Sequence, residues 1–155
     1  MLGSMYERQK EYEKAERTFK KVIELNPKHA AALNYLGYML ADRGIRLDES
    51  LDLIKKAVDL DPNNGAYLDS LGWAYFKLNR IDEAETYLKK GLDRVRKDPT
   101  IHEHLGDVYY QKGQYTDARA AWELSVANGQ DEEETRKVHK KIEDLKVKLA
   151  SLEKK

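Results

Sequence analysis

The 155-residue chain has no cysteine, which excludes disulfides, thiolate metal sites and cysteine nucleophiles. It has no excess charge of either sign. Lys+Arg and Asp+Glu are both 28, so there is no global field to draw nucleic acid or an anionic membrane. No apolar run approaches the roughly 18 residues a membrane-spanning helix needs, so no membrane insertion is expected. The opening MLGSMYERQK lacks the basic-then-apolar pattern of a secretory leader. Glycine-rich phosphate loops, serine elbows and catalytic triads are missing too. An enzyme is therefore not expected, nor is a cofactor.

What the chain does have is a repeat. Gly3, Gly37, Gly72 and Gly106 lie 34, 35 and 34 residues apart. Leu2, Leu36, Leu71 and Leu105 keep step with them, as do Tyr6, Leu40, Tyr75 and Tyr109. The second half of each unit repeats in Ala15, Ser50, Ala84 and Ala118, and in Phe19, Ile54, Leu88 and Trp122. Small residues at two fixed points in a period near 34 predict stacked helical hairpins. Charged residues at 36% suit a solenoid with much solvent-facing surface.

The units divide as residues 1–27, 28–62, 63–98 and 99–130, followed by a terminal segment, 131–155. The first unit has only a remnant of its first helix, and its second runs from Tyr12 to Leu25, ended by Asn26-Pro27. Leu2-Gly3 and Tyr6 already match the repeat, which reads as an excised fragment opening inside a helix. A vector junction would also leave Gly3-Ser4, but it would fall in register only by chance. Gly44 and Gly113 close first helices in the left-handed conformation, and Asn79 takes that place in the third unit. One extra residue lies between Gly44 and Ser50, where a hairpin turn absorbs it. Arg96 replaces the turn proline of the third unit, so that helix is expected to run on through GLDRVRKD before Asp98-Pro99 starts the next.

Residues 131–155 contain neither proline nor glycine. Asp131 and Glu134 form a capping box, and DEEE suits a helix start. The helix would be roughly 37 Å long at 1.5 Å per residue. Val138, Ile142, Leu145, Leu149 and Leu152 make a heptad stripe. Val138 and Ile142 are expected to cover the flank of the fourth hairpin. Leu145, Leu149 and Leu152 extend past what one hairpin covers and are candidates for self-association.

LGWAYFKLNRIDEA and LGDVYYQKGQYTDA, with the closing Pro27 and Pro62, resemble the tetratricopeptide repeat (TPR) family over about residues 2–130. The resemblance implies an all-α fold: a right-handed superhelical solenoid of antiparallel helix pairs with a long C-terminal capping helix. Ser50 for alanine, Gly91 for the later alanine and the missing third proline depart from the family pattern in detail only. The stretch also looks like the C-terminal end of larger bacterial TPR proteins, many of them exported or envelope-associated, which leaves a cytoplasmic or a periplasmic setting open.

In the family the first helix of each hairpin lines a concave groove. Mapped here, that wall is Asn34, Tyr35, Tyr38 and Asp42; Asp69, Ser70, Trp73, Phe76 and Lys77; then Glu103, His104, Asp107, Tyr110 and Gln111, with Ser4, Glu7 and Arg8 continuing it. Phe76 and Tyr110 stand where the family often packs an aromatic. Tyr35, Tyr38 and Trp73 stand where it varies, and an exposed Trp beside two Tyr resembles an interface hot spot. The places that hold a partner's C-terminal carboxylate in the chaperone-tail binders carry Asn34, Tyr38, Asp69 and Glu103, with no lysine. The expected partner is a protein or peptide, extended or helical, with apolar anchors and basic residues, bound in an acidic groove. The alternative is an assembly module that forms a homo-oligomer through its end faces and last helix.

Two metal-like patterns are weak. His102 and His104 are two residues apart and point to different sides of a helix. DLDPNNG places its glycine too late for a calcium loop.

Overall fold

Three of the four positive-φ residues among those described recur at one point of the repeat: Gly44 at 69°, Asn79 at 62° and Gly113 at 75°. Each turns one helix into the next at the same point of the repeat, where only glycine or asparagine adopts the left-handed conformation readily. The computed structural model describes residues 2–129 and 131–153, with side chains from residue 7 onward. Among these residues there are eight α-helices and no strand: α1 (Leu2–Leu25), α2 (Ala30–Arg43), α3 (Leu47–Leu60), α4 (Gly65–Lys77), α5 (Ile81–Arg94), α6 (Pro99–Gln111), α7 (Tyr115–Asn128) and α8 (Glu132–Glu153). Short connections make α2/α3, α4/α5 and α6/α7 antiparallel hairpins, and each hairpin packs on the next.

The first unit corrects the reading made from sequence. No turn separates a helix remnant from a helix starting at Tyr12; α1 is continuous from Leu2. Lys10 stands 34 residues before Gly44, at the turn position. A lysine there favours continued helix over a left-handed turn. The landmarks Leu2, Gly3 and Tyr6, and the groove position at Ser4, belong to side chains outside the described set.

The third unit brings a second correction. α5 stops at Arg94 and does not run on. Val95, at φ −135° and ψ 72°, repeats the conformation of Asp61, at −144° and 77°, without a following proline. Two contacts hold this turn. Asp98 caps α6 by accepting from the amides of Thr100 and Ile101, at 2.8 and 3.2 Å. His102, itself buried, donates from Nε2 to the Arg96 carbonyl at 2.9 Å.

The extra residue of the α2–α3 turn is absorbed at Arg46, which takes φ 44°. Its guanidinium reaches back to Glu16 of α1, with Nη1 to Oε2 at 2.9 Å. Within the hairpins the helices nearly touch. A Cβ on Gly37 would lie 2.5 Å from Ile54 Cγ1 and 3.0 Å from the Ser50 carbonyl. Ser50, the departure from alanine, donates to the Gly37 carbonyl at 2.6 Å, so its hydroxyl is satisfied in full burial. The core runs between hairpins through Ile54, Leu71, Leu88, Ile101 and Leu105.

α8 stacks on α7 as α4 stacks on α3 and α6 on α5. Its buried residues Val138, Ile142 and Leu145 follow the spacing of Ile101, Leu105 and Val108 in α6. It therefore occupies the place of a further first helix. Asp131 caps it through Oδ1, accepting from the amides of Glu133 and Glu134 at 2.9 and 3.2 Å.

Candidate functional site

α2, α4 and α6 form one wall of the hairpin stack, and α8, packed on α7, reaches α6 at the C-terminal end of that stack. Between them lies a cavity of about 610 Å³, lined by Tyr38 and Asp42, Trp73, residues of α6, the α7–α8 turn, and Glu134 to Lys141 of α8. Five carboxylates (Asp42, Glu103, Asp107, Asp131 and Glu134) face two lysines, Lys137 and Lys141.

Beside and behind the cavity runs a series of polar contacts between successive first helices. His104 Nδ1 lies 2.8 Å from Asp69 Oδ1, with both side chains almost fully buried. An ionised carboxylate only accepts, so the imidazole donates from Nδ1. Burial works against the charged imidazole, but the charge and hydrogen bond of Asp69, with Asp107 and Glu103 beyond, outweigh it and raise the His104 pKa. The next pair repeats this one helix later. Lys141 Nζ lies 2.8 Å from Glu103 Oε2 and 2.9 Å from Asp107 Oδ1. Burial depresses the ammonium and the two carboxylates more than restore it, so the Lys141 pKa rises. Burial also raises the Asp107 carboxyl, with Lys141 opposing. One helix earlier, Asn34 holds the place of Asp69, and its buried Oδ1 has no hydrogen-bond partner. Ser70, at the place of His104, donates to the Ala66 carbonyl instead.

The aromatic residues are arranged differently from the expectation of an exposed hot spot. Trp73 is 7% exposed. Phe76 stacks on the ring at 4.9 Å between centroids, and His104 at 3.9 Å. Its Nε1 donates to Asp42 at 3.2 Å, and Lys77 Nζ lies 5.1 Å from the ring centroid. With these partners packed on it Trp73 is a wall residue of the cavity. Tyr38 is half-buried and borders the cavity. Its phenol pKa is pushed up by burial first, and then by Asp42, Asp69, Glu103 and Glu134.

Of the other mapped residues, Tyr35 is 59% exposed and stacks on Phe19 of α1 at 5.8 Å, away from the cavity. Tyr110 packs against Tyr115 and Trp122, and its hydroxyl lies 3.1 Å from Lys148 Nζ, which places it under α8. His102 and His104 serve separate partners, Arg96 and Asp69.

The self-association stripe needs correction. Leu145 is 1% exposed and lies in the same cluster as Trp122, Val138 and Ile142, while Leu149 is half-buried against it. α8 lies along the hairpin flank, so the hairpin covers one turn more than expected. Leu152, at 49%, remains exposed.

Lys137 and Lys141 were not found from sequence. The signal was present: Lys141 precedes Ile142 as His104 precedes Leu105, once the two aliphatic stripes are aligned.

A family model described as Tetratricopeptide repeat matches residues 1–65 and 70–133. The TPR repeat-containing protein PA4667 of Pseudomonas aeruginosa is 37% identical over 101 residues, 65% of this chain and 17% of that protein. The chain thus spans less than a fifth of that relative's length. The crystal structure of MamA is similar with a TM-score of 0.67 at 23% identity, covering 96% of this chain and 90% of that one. The first TPR of Spaghetti (RPAP3) bound to the HSP90 peptide SRMEEVD gives 0.67 at 21% identity, covering 78% and 93%. These structural likenesses concern the fold. Among the described residues no helix is long and apolar enough to cross a membrane. With the repeat, the hairpins and the family match in agreement, the chain belongs to the tetratricopeptide repeat family.

Proposed function

We propose that this chain is a protein-interaction scaffold whose inner wall binds a peptide segment of a partner carrying apolar anchors and basic residues. The cavity between α2, α4, α6 and α8 carries this reading, through its excess of carboxylates over lysines and its bordering Tyr38 and Trp73. A desolvated slot with such an imbalance favours a cation over an anion. Asn34, Tyr38, Asp69 and Glu103 supply no cation at the mapped ligand positions, which speaks against a ligand such as SRMEEVD. The two lysines of the cavity come from α8, and Lys141 is already engaged by Glu103 and Asp107. The division of the chain into four repeats and a cap belongs to the same proposal. Self-association through the last helix loses most of its support with Leu145 inside the chain's own core.

The test is a calorimetric titration with SRMEEVD and with its charge-reversed amide SRMKKVK at low and moderate salt. The basic peptide should bind more tightly, and less so as salt rises. Preference for SRMEEVD, or no discrimination between the two, would sink the proposal.

A further inference from the structure

The polar contacts between successive first helices differ in one respect that bears on ligand entry. His104 and Asp69 are sealed, with side chains 6% and 10% exposed. Lys141 keeps 34% of its side chain exposed while Glu103 and Asp107 keep 18% and 15%, and all three border the cavity. The anchoring of α8 does not depend on this lysine, because Val138, Ile142 and Leu145 hold the helix to α7. The ammonium can therefore swing toward solvent on its flexible stem with the helix still docked.

We propose that Lys141 is an internal occupant of a cation site. It neutralises Glu103 and Asp107 while the groove is empty, and it yields that place to a lysine or arginine side chain of the bound segment. This rests on the reading of the groove as a binder of basic peptides, and adds how its strength is set. Two largely buried carboxylates side by side are stabilised by a cation between them. A ligand must displace the resident one, so the chain holds its own affinity down.

The experiment uses the whole chain with Lys141→Ala, which deletes the side chain beyond Cβ, and Lys141→Arg, which keeps a cation. n-Propylammonium chloride, which replaces the deleted atoms, is compared with tetramethylammonium chloride at equal concentration by thermal unfolding. Propylammonium should raise the midpoint of Lys141→Ala above its value in tetramethylammonium, and leave wild type and Lys141→Arg unmoved. In parallel, SRMKKVK amide should bind Lys141→Ala roughly fivefold more tightly than wild type, about 1 kcal/mol at 1.4 kcal/mol per decade. Absence of rescue in a folded Lys141→Ala, judged by circular dichroism, overturns the inference and leaves the groove reading standing. Equal or weaker peptide binding by Lys141→Ala overturns it likewise. If neither chain prefers the basic peptide, the groove reading falls and takes the displacement with it.

Discussion

The two end helices, α1 and α8, differ in how they are held. Both are longer than any helix within the hairpins, and both carry an apolar stripe. α8 buries Val138, Ile142 and Leu145 almost completely. α1 buries none of its described side chains to that degree; Tyr12, Ala15, Phe19, Val22 and Ile23 are half-buried against α2, and Leu25 is 75% exposed. The periodicity of a stripe says that a helix has an apolar face, whereas depth of burial depends on the surface it meets. α8 meets the flank of α7, where Ala118 and Trp122 leave a recess with a hairpin behind it. α1 meets chiefly α2.

Equal truncations at the two ends should break or sustain this contrast most visibly. Leu145→Ala should cost about 2–5 kcal/mol, the range for deleting a fully buried leucine side chain into a packed core. Ile23→Ala should cost clearly less, since a half-exposed side chain loses less on removal. Chemical denaturation of the two variants decides it. Similar losses would mean that α1 is docked as firmly as α8.

A smaller difference is expected from the charged contact at each end. Lys141→Ala leaves Glu103 and Asp107 without their cation in a largely buried site, a loss of about 1–3 kcal/mol. Because burial already raises the Asp107 pKa, the variant should hold that proton to still higher pH. Its stability deficit should therefore shrink as the solution is made acidic, which a denaturation series across pH measures. A deficit independent of pH would show that the lysine acts through its methylenes over Trp122, whose ring centroid lies 5.9 Å from Nζ.

Much of this was legible beforehand. The glycine and leucine columns carry the hairpins because close helix approach needs small residues at fixed points, and that requirement is local. Asn79 was readable as a left-handed turn for the same reason, and Lys10 could have been read as its failure. The site was less legible. How far Trp73 is covered depends on where Phe76 and His104 lie relative to it, and His104 comes from the next hairpin. Lys141 lies 34 and 38 residues from its two acids, on a helix without the Leu-Gly landmark that set the register elsewhere. The stripe of α8 placed the helix but left open how far along it the hairpin reaches, and so Leu145 was assigned to the outside.

His104 gives a titration that separates the sealed pair from the exchangeable one. Its pKa is raised in the folded chain, so its contribution is fully present below the unfolded value of 6.5 and is lost as pH rises through the higher folded value. His104→Gln should flatten that part of the pH–stability profile, while Lys141→Ala should leave it in place. An unchanged slope in His104→Gln would place the titrating group elsewhere.

The smallest effect is expected at the α1 end. Arg46 and Lys20 hold the Glu16 carboxyl down to about 2, Arg46 contributing the larger part. A depressed carboxylate stabilises the folded chain above its unfolded pKa of 4.5, and that contribution disappears as pH falls toward 2. Arg46 is 42% exposed and Lys20 50%, so solvent screens both partners and the pair is worth less than its shift suggests. Arg46→Ala should cost under about 1 kcal/mol at neutral pH, and the backbone at φ 44° gains nothing from it, because alanine keeps the Cβ that makes this conformation costly. Amide exchange along α1 reads this directly. Expressed as protection relative to the intrinsic exchange rate at each pH, α1 should lose protection in the variant at neutral pH and in wild type near pH 3, with α8 unaffected. Faster exchange in both helices at once would mean that the two ends open together, and the contrast between them would be one of contact depth without a difference in cooperativity.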